Sequence, residues 1–520
     1  MSLSEAIWQS ISFTNKDIDN LYNHLLEIET PQTISELTKF LIQNKIDDEK
    51  KKASQARKAE GTLYFPKEKY IVGQDIQFPS RNFEKGKVLE VRNGNNPDHP
   101  ELQVILVSFA DNQNIEFAAN LDDHALNTFT PQEDVESSYD FDFVFSHFGK
   151  SLSDKLLGVV QKSEDLINIG GAYFPASLLV DINIGYLNLA EAVLEMADGG
   201  PLTTSEVIKQ IELPTDTNTK LTEFSMNYAL QEDSRFDEVG PAGKTLWFLK
   251  QLEPDEVQNT PFTLQYSDQM VVLSDDLKSY ADFGPEFCDE LEPDFQCESL
   301  DDLTISLTFP HWRAGTLPLT NKLKQLFPTA YETPRVKFNF KDANTNEVFN
   351  GWVVRPGHYI YGLKDWYTSE GFIPGSQIRI RKSDQPGEVL IQAEKKHNSK
   401  EWIRTFLVGA DGNFVFALLK QVTTCAFDER MAITIPDVKV VDAIWEKYSR
   451  TKPSLEKLIP VMMRELAKLN PQGHVHIQEL YAALNIVKRC PPSPIINILF
   501  NSEWAQHLGD LYFRLDESKL

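Results

Sequence analysis

Blocks of short strands alternate along this chain with blocks of helical period, and the pattern changes type several times between the two ends. A chain of 520 residues is too long for one hydrophobic core, so we expect about three to five domains. The composition, 41% hydrophobic and 25% charged, is ordinary for globular protein and argues against wholesale disorder. The alternation therefore predicts a multidomain α+β protein.

Three stretches share one outline, in which helices are followed by a strand or a hairpin: 1–66, 181–253 and 441–520. In the first stretch, the segments KDIDNLYNHLLEIE, TISELTKFLIQ and DDEKKKASQARKAE predict three helices, and TLYFP predicts a strand. The residues from Thr33 to Glu36 open the second of these helices with the pattern of a capping box. This outline is typical of helix-turn-helix and winged-helix modules.

The stretch 181–253 ends in the segment RFDEVGPAGKTLWFL, which predicts a hairpin. Over residues 181–252 the sequence resembles the winged-helix module shared by the RNA polymerase delta subunit and some restriction and chromatin proteins. In that module a phenylalanine, a Val-Gly turn and a tryptophan close a small sheet. The matching residues here are Phe236, Val239, Gly240 and Trp247.

Residues 67–130 consist of short alternating segments that turn residues separate, namely YIVGQDIQFP, GKVLEVRNG, LQVILVSFADN and QNIEFAANL. The segment GKVLEV after VGQDIQFP resembles the start of SH3-like barrels in transcription and translation factors. The resemblance implies an SH3-like small β-barrel in this part of the chain. The predicted fold class is thus a multidomain α+β protein in which winged-helix modules are combined with small β-barrels.

Residues 303–440 are the longest strand-rich stretch, with eight alternating segments from LTISLTF to NFVFALL. Their order resembles the plant-type B-three pseudobarrel DNA-binding domain. The segments that carry the resemblance are Leu317-Pro318-Leu319, Trp352-Val353-Val354-Arg355, Leu363 with Trp366 and Tyr367, and Pro374-Gly375-Ser376. Ser376 stands where an aspartate is usual in that family. The resemblance implies DNA contacts from the arms that flank the sheet, which favours Arg313, Lys322, Arg379 and Arg381.

Acidic residues are concentrated in the middle of the chain. The net charge of the chain is −26. Residues 131–302 hold 9 Lys/Arg and 35 Asp/Glu, so the net charge of this block alone equals that of the whole chain. Within this block we expect an acidic linker and a helix at 131–180 and an acidic linker at 254–302, either solvated or lying against a basic domain. Residues 181–252 hold 5 basic and 12 acidic residues, so we expect this acidic winged helix to contact protein rather than phosphate.

Basic side chains form two groups that could neutralise phosphates. Residues 303–440 hold 18 basic and 13 acidic residues. The candidate nucleic-acid contacts there are Arg313, Lys322, Lys324, Arg355, Arg379, Arg381 and Lys382, of which Arg379 and Arg381 alternate onto one face of a strand. The second group lies on the predicted third helix of the first stretch and comprises Lys50, Lys51, Lys52 and Arg57. An ordinary solvated face is the alternative interpretation for both groups.

These patterns predict a DNA-associated or transcription-associated scaffold without enzymatic activity. The pseudobarrel and the N-terminal helix-turn-helix would contact DNA, and the acidic and C-terminal winged helices would contact protein. A scaffold for protein partners alone is the first alternative. A Mg²⁺-dependent restriction-type nuclease is the second, since Asp384, Glu394 and Lys396 bracket an apolar strand as metal-binding residues do in such enzymes.

Other chemistry has little basis in the sequence. The four cysteines form no CxxC pair, and His474 and His476 lack a third ligand of fixed spacing, so we expect no metal and no cofactor. The N-terminus lacks the basic start and apolar run of a signal peptide, and no apolar run is long enough to span a membrane. We therefore expect a cytoplasmic protein that does not contact membranes, and the oligomeric state stays open.

Overall fold

The computed structural model describes residue 8 and the ranges 11–59, 62–78, 81, 84–97, 99–109, 113–128, 141–163, 165–213, 218–292, 300–330, 333–409 and 412–520. The chain divides into two compact units, Met1–Leu179 and Val180–Leu520. Both units contain helices and several small sheets, so the protein is a multidomain α+β protein, as its sequence predicts. Among the helices in these ranges, none combines the length and the apolar character that crossing a bilayer requires.

The first unit begins with a helix, a short strand and a long helix, which are α1 (Asn15–Ile28), β1 (Gln32–Thr33) and α2 (Ile34–Ala59). The Thr14 backbone N–H donates to Asp17 Oδ2 over 2.8 Å, so the first turn of α1 is capped. Lys45 of α2 reaches the same carboxylate over 2.8 Å and ties the two helices together.

Helix α2 is longer than its sequence predicts. The segments TISELTKFLIQ and DDEKKKASQARKAE are one continuous helix, because neither glycine nor proline separates them and Asp47 and Asp48 do not interrupt the backbone pattern. The strand predicted at TLYFP is short, β2 (Thr62–Leu63), and pairs with β3 (Asp75–Phe78) rather than closing a helical module.

Strands β2 and β3 belong to a five-stranded inserted sheet that continues with β4 (Glu84–Asn93), β5 (Gln103–Phe109) and β6 (Asn114–Ala119) in sequential order. Four of these strands occupy the four segments that alternation predicts. Alternate residues face a core that includes Phe78, Val107 and Phe109. A bulge between Val88 and Glu90 bends the longest strand.

The helical module of the first unit resumes after the inserted sheet with α3 (Phe141–Val160), β7 (Leu166–Ile169) and β8 (Ala172–Pro175). Strand β1 pairs with β8, and Ser153 of α3 donates to the Thr38 hydroxyl of α2 over 3.1 Å. Together α1, β1, α2, α3, β7 and β8 form the first module. The third helix of this module is therefore α3, and the prediction that the segment DDEKKKASQARKAE, residues 47–60, supplies it is wrong. Residues 131–140 of the predicted acidic linker lie outside the described ranges.

The second unit opens with α4 (Ile184–Met196), β9 (Leu202–Thr203), α5 (Thr204–Gln210), α6 (Thr219–Glu232), β10 (Phe236–Glu238) and β11 (Leu246–Leu249), which form the second module. Its three strands pair in the order β10-β11-β9. Trp247 is buried in the core, and its indole N–H donates to Asn227 Oδ1 over 2.9 Å. The helices begin where the sequence places capping residues, since Asn183, Thr203 and Asn218 each accept a backbone N–H.

The predicted acidic linker is folded where the structure describes it. Two single-turn helices, α7 (Asp255–Gln258) and α8 (Asp275–Lys278), precede a segment whose Cys288 and Asp289 are buried. Asp289 binds Arg489, so this part of the acidic block lies against the C-terminal region instead of being solvated. Residues 293–299, which include Cys297, lie outside the described ranges.

A central sheet of seven strands follows. Its elements in chain order are β12 (Asp302–Ser306), α9 (Phe309–Ala314), β13 (Thr316–Pro318), α10 (Asn321–Lys324), β14 (Arg335–Asp342), β15 (Val348–Val354), β16 (Tyr359–Tyr361), α11 (Lys364–Glu370), β17 (Gln377–Lys382) and β18 (Glu388–Ala393). The strand order is β12-β17-β18-β14-β15-β16-β13, and only β14 and β18 are paired in parallel within this sheet. The buried face holds alternate residues such as Val336, Phe338 and Phe340.

The last two predicted strands of residues 303–440 form a separate ribbon, β19 (Lys395–Val408) and β20 (Phe414–Cys425). They pair with each other and with β21 (Ile433–Thr434) in a sheet of their own. Near the turn of this ribbon, Phe406, Phe414 and Phe416 join the hydrophobic core of the C-terminal region.

The C-terminal region consists of α12 (Val438–Thr451), α13 (Leu455–Ala467), β22 (His474–His476), α14 (Ile477–Val487), α15 (Pro492–Asn501), β23 (Ala505–Gly509) and β24 (Tyr512–Leu515). From α13 onward these elements form the third module, whose strands pair in the order β22-β24-β23. The apolar helix α15 packs into the core of its own module, with Ile495 and Ile496 fully buried. The same order of a helix, a strand, two helices and a hairpin thus occurs three times in the chain.

Candidate nucleic-acid interface

The predicted basic contacts of residues 303–440 lie in three places on the second unit. Arg379, Arg381 and Lys382 lie on β17, the second strand in the order of the central sheet. Lys322, Lys324 and Arg355 lie on α10 and directly after β15, near the other end. Arg313 lies on α9. The structure therefore brings these residues together in groups and not on one continuous surface.

Arg379 and Arg381 point away from the core of the central sheet, because Ile378 and Ile380, which alternate with them along the strand, are buried. Arg379 forms two hydrogen bonds to Asp302 through its Nε, at 2.9 and 3.0 Å. These hydrogen bonds lower the pKa of Asp302, so its charge persists and offsets that of Arg379. Arg381 donates to the neutral side chain of Gln392 over 3.4 Å.

Lys382 is exposed at the end of the same strand. Its backbone N–H donates to the carbonyl of Asp301. Arg381 and Lys382 are thus the cations of this strand that a phosphate can approach without displacing a carboxylate from a close ion pair.

Lys324 and Arg355 line one cavity of about 570 Å³ together with His358. Its floor includes the apolar side chains of Leu319, Phe327 and Val353. Among the lining residues in the described ranges there is no carboxylate. An apolar floor with a cationic rim suits a ligand that has a flat apolar part and an anionic group.

The turn between β15 and β16 holds two of these rim residues. Arg355 Nη1 donates to the carbonyl of Thr333 over 2.8 Å, which fixes the guanidinium at the mouth of the cavity. His358 has a left-handed backbone with φ of 55°, and its carbonyl accepts the N–H of Leu319 over 2.8 Å. Both side chains are exposed, so they can meet a ligand from solvent.

Helix α10 supplies the third rim residue. The Thr320 hydroxyl caps this short helix by accepting the N–H of Leu323, which is buried in the core. Lys324 then projects from the last turn, with its Nζ 3.1 Å from Asn321 Oδ1. Lys322 is half-buried on the same helix but is not among the residues that line the cavity.

Arg313 has a structural role. Its Nε and Nη2 donate to Asp442 of α12 over 2.9 and 2.7 Å, and its guanidinium lies over the Phe262 ring. This bidentate pair connects α9 to α12 and compensates the positive charge. A phosphate would have to replace Asp442 to reach it.

The basic group of the first unit lies on α2. Lys51 is exposed, and the side chains of Lys50, Lys52 and Arg57 lie outside the described part of the chain. Since α3 is the third helix of the first module, these residues lie on its second helix instead. The helix in the third position carries Lys150, which is exposed, and Lys155.

The candidate nuclease residues lie around β18, and the pair His474 and His476 lies on β22. Asp384 and Glu394 flank opposite ends of β18, a strand of six residues that spans about 20 Å, so this placement gives the nuclease alternative no support. The side chain of Lys396 lies outside the described part. His476 is buried, and its Nδ1 accepts the N–H of Gln478 as the cap of α14. Burial and the nearby charges of Arg430 and Arg404 lower the pKa of His476 to about 4.

No group of three His, Cys, Asp or Glu side chains in the described ranges could hold a metal ion. Sequence reasoning identified Lys324 and Arg355 but missed His358 and the apolar floor of the cavity. These residues come from separate segments around 319–330, 334 and 353–358, so no local pattern marks them. A comparison with known proteins finds no match among family models, curated proteins or solved structures.

Proposed function

We propose that the protein is a DNA-associated scaffold without enzymatic activity and that the central sheet contacts the nucleic acid. The cavity between α10 and the β15–β16 turn carries this proposal. In a chain of net charge −26, it combines Lys324 and Arg355 with the imidazole of His358, and none of the described residues that line it carries a carboxylate. Such a local excess of positive charge attracts phosphate even when the whole chain is acidic.

The order of elements supports the view that all three modules are winged helices. In each of them a helix, a short strand, two helices and a hairpin follow one another, and the first strand pairs with the second strand of the hairpin. The inserted sheet of five short strands supports an SH3-like barrel, and the central sheet with its short helices supports a B-three-like pseudobarrel. Modules of these kinds are common in proteins that act on DNA, although a fold alone does not fix a function.

The acidic second module is the part that we propose to contact protein, or to compete with DNA for the central sheet. It packs on this sheet through Phe248, which meets Trp352 edge to face. Its hairpin also reaches the cavity, because the N–H of Ala242 donates to the carbonyl of Thr329 in the lining over 2.6 Å. A module with 5 basic and 12 acidic residues at this position would repel phosphate from its own surface.

The test is binding of the full chain to a labelled DNA duplex across a salt series, with two double variants. We expect Lys324→Gln with Arg355→Gln to weaken binding, and Arg381→Gln with Lys382→Gln to do the same. Each lost phosphate contact should reduce the slope of log affinity against log salt by about 1. Lys439→Gln, an exposed lysine of α12, is the matched control.

Absence of binding by the wild-type chain at low salt would refute the proposal and leave a scaffold for protein partners. Equal slopes for the wild type and both double variants would show that DNA binds elsewhere on the chain.

A further inference from the structure

The ribbon formed by β19 and β20 exposes several large apolar side chains. Trp402 is 63% exposed and Val422 is 62% exposed, while Leu418 on the same ribbon is 42% exposed. Exposed aromatic and aliphatic groups that lie next to one another commonly mark a binding surface. These side chains belong neither to the hydrophobic core of the C-terminal region nor to that of the central sheet.

The pairing of the ribbon places these groups on one face. Trp402 is directly opposite Lys420, and Lys400 is directly opposite Val422. Directly paired residues, and residues two positions apart on one strand, share a face of an antiparallel pair. Lys400, Trp402, Lys420 and Val422 are therefore neighbours, and we call them the ribbon face.

The two lysines of the ribbon face are exposed, and neither forms an ion pair among the described residues. Lys420 Nζ lies 5.3 Å from the centre of the Trp402 ring, in a cation–π contact. Arg404, the next residue on this face, is bound by Glu479 over 2.6 Å and is not available in the same way.

The ribbon is also locally basic. Residues 395–425 hold five Lys/Arg and two Asp/Glu, a net charge of +3 in a chain whose net charge is −26. An anionic partner is thus attracted to the ribbon and repelled by most of the remaining chain.

We propose that the ribbon face binds single-stranded nucleic acid, with an unpaired base stacked on Trp402 and neighbouring phosphates held by Lys400 and Lys420. A flat aromatic ring can stack on any unpaired base, whereas the base faces of a duplex are already stacked on one another. Lys400 and Trp402 are about 7 Å apart along the strand, which lets a base and an adjacent phosphate be contacted together. This site is separate from the cavity of the central sheet and does not depend on duplex binding there.

The experiment measures binding of the full chain to labelled oligo-dT and oligo-U of about 20 nucleotides, a length that covers one such site. We expect Trp402→Ala to weaken binding about fivefold or more, because a stacked base is lost. Trp402→Phe should restore most of the affinity, since it retains a stacking ring. Lys420→Gln should weaken binding and reduce its salt dependence.

Two variants serve as controls. Met196→Ala removes an 86% exposed apolar side chain outside the ribbon, and Lys439→Gln removes an exposed lysine outside it. Both should bind as the wild type does. Circular dichroism and the thermal midpoint of each variant establish that the chain remains folded.

Three results would overturn the proposal: no binding of either oligonucleotide at low salt, no loss of binding in Trp402→Ala, or an equal loss in Trp402→Phe. A change of oligomeric state in Trp402→Ala without a change in oligonucleotide binding would identify the ribbon face as a protein interface instead. Duplex binding measured with the same variants separates the two proposals. It should depend on Lys324 and Arg355 and remain unchanged in Trp402→Ala.

Discussion

Arg489 precedes α15 and is buried with two carboxylates of the acidic block. Its Nη2 lies 2.5 Å from Asp289 Oδ1 and 3.1 Å from Glu290 Oε1, and His311 Nε2 lies 2.9 Å from the other oxygen of Glu290. Burial alone would raise the pKa of Glu290, but the Arg489 guanidinium and the His311 imidazole hold it well below its usual range. Three parts of the second unit therefore meet in one buried cluster of charges.

Removal of one partner of this cluster should destabilise the second unit strongly. We expect Asp289→Asn to lower the free energy of unfolding by about 3 kcal/mol, because it leaves the Arg489 charge buried and incompletely paired. Urea unfolding followed by circular dichroism measures the effect. Asp275→Asn, which removes a carboxylate of an exposed pair with Lys278, should leave the unfolding midpoint where it is. An unchanged midpoint in Asp289→Asn would show that the cluster contributes no stability.

Glu253 is a second buried carboxyl, at the contact between the second module and the central sheet. Its side chain is fully buried, with Arg335 Nη1 3.7 Å away. Burial, and after it the neighbouring Asp237 carboxyl, raise the pKa of Glu253 to about 8. The folded protein thus holds this group in its protonated form at neutral pH.

A carboxyl whose pKa is raised in the folded state contributes its full share of the folding stability at low pH. This contribution is lost as the pH rises. For Glu253 the loss should begin above its ordinary pKa of 4.5 and continue to about 8. We expect the free energy of unfolding to fall by roughly 1 to 3 kcal/mol over this range, and Glu253→Gln to abolish most of the fall. Thermal midpoints from pH 5 to pH 8 measure it, with Glu347→Gln as the exposed control. A slope that persists in Glu253→Gln contradicts this assignment.

Glycines of two elements should respond to alanine in opposite ways. Gly240 lies in the hairpin of the second module, where an added Cβ would be 1.9 Å from the carbonyl oxygen of Lys244. Gly158 lies in α3, where an added Cβ has no neighbour within 4 Å. The first position therefore requires glycine for a close approach of two backbones, and the second does not.

We expect Gly240→Ala to lower the thermal midpoint and to weaken the contact between the second module and the central sheet. Gly158→Ala should raise the stability of the first unit by about 0.5 to 1 kcal/mol, because alanine loses less backbone entropy in a helix. Scanning calorimetry of both variants measures the two effects. A neutral Gly240→Ala variant would mean that the hairpin can shift to accept the methyl group.

The helix cap of α5 offers a test at the scale of one element. The Thr203 hydroxyl and N–H donate to Glu206 over 2.7 and 2.8 Å, and these hydrogen bonds lower the pKa of Glu206. We expect Thr203→Ala to cost about 1 kcal/mol and Thr203→Ser to cost much less. Hydrogen exchange of the amides of α5 measures this locally. Equal protection in the two variants would show that the cap is not needed.

Local patterns predicted most elements but not their long-range pairing. Most strands of residues 303–393 follow from alternation, and the capping box of Thr33 and Glu36 follows from residue type, since both signals depend on near neighbours. The pairing of β1 with β8 does not, because more than a hundred residues and the inserted sheet separate them. The cavity is unpredictable for the same reason, since Phe327 and His358 meet only after the central sheet has formed.

In the whole molecule, the predicted domain boundaries cut through hydrophobic cores that neighbouring domains share. Phe406, Phe414 and Phe416 of the ribbon are buried among residues of the third module, and Val239 and Phe248 of the second module are buried against Trp352 and Tyr359. The stretch 303–440 therefore exposes apolar surface at both of its ends when it is excised.

We expect residues 180–520 to fold as an independent unit and residues 303–440 to be unstable or to aggregate. Circular dichroism and size-exclusion chromatography of the two fragments measure this. The thermal midpoint of 180–520 should match one transition of the full chain. A monomeric, cooperatively unfolding 303–440 fragment would contradict the shared cores.

The interruption of the first module by the inserted sheet has a consequence for the order of events on the ribosome. Helices α1 and α2 emerge first, yet α3 and the hairpin that complete their core are made only after β2 to β6. The pairings of the inserted sheet join strands that follow each other closely in the chain, so its loops are short and it can form earlier. The nascent chain thus holds two helices whose apolar faces still lack their partner while a complete sheet folds after them, and in this interval the N-terminal region is most exposed to aggregation or to chaperones.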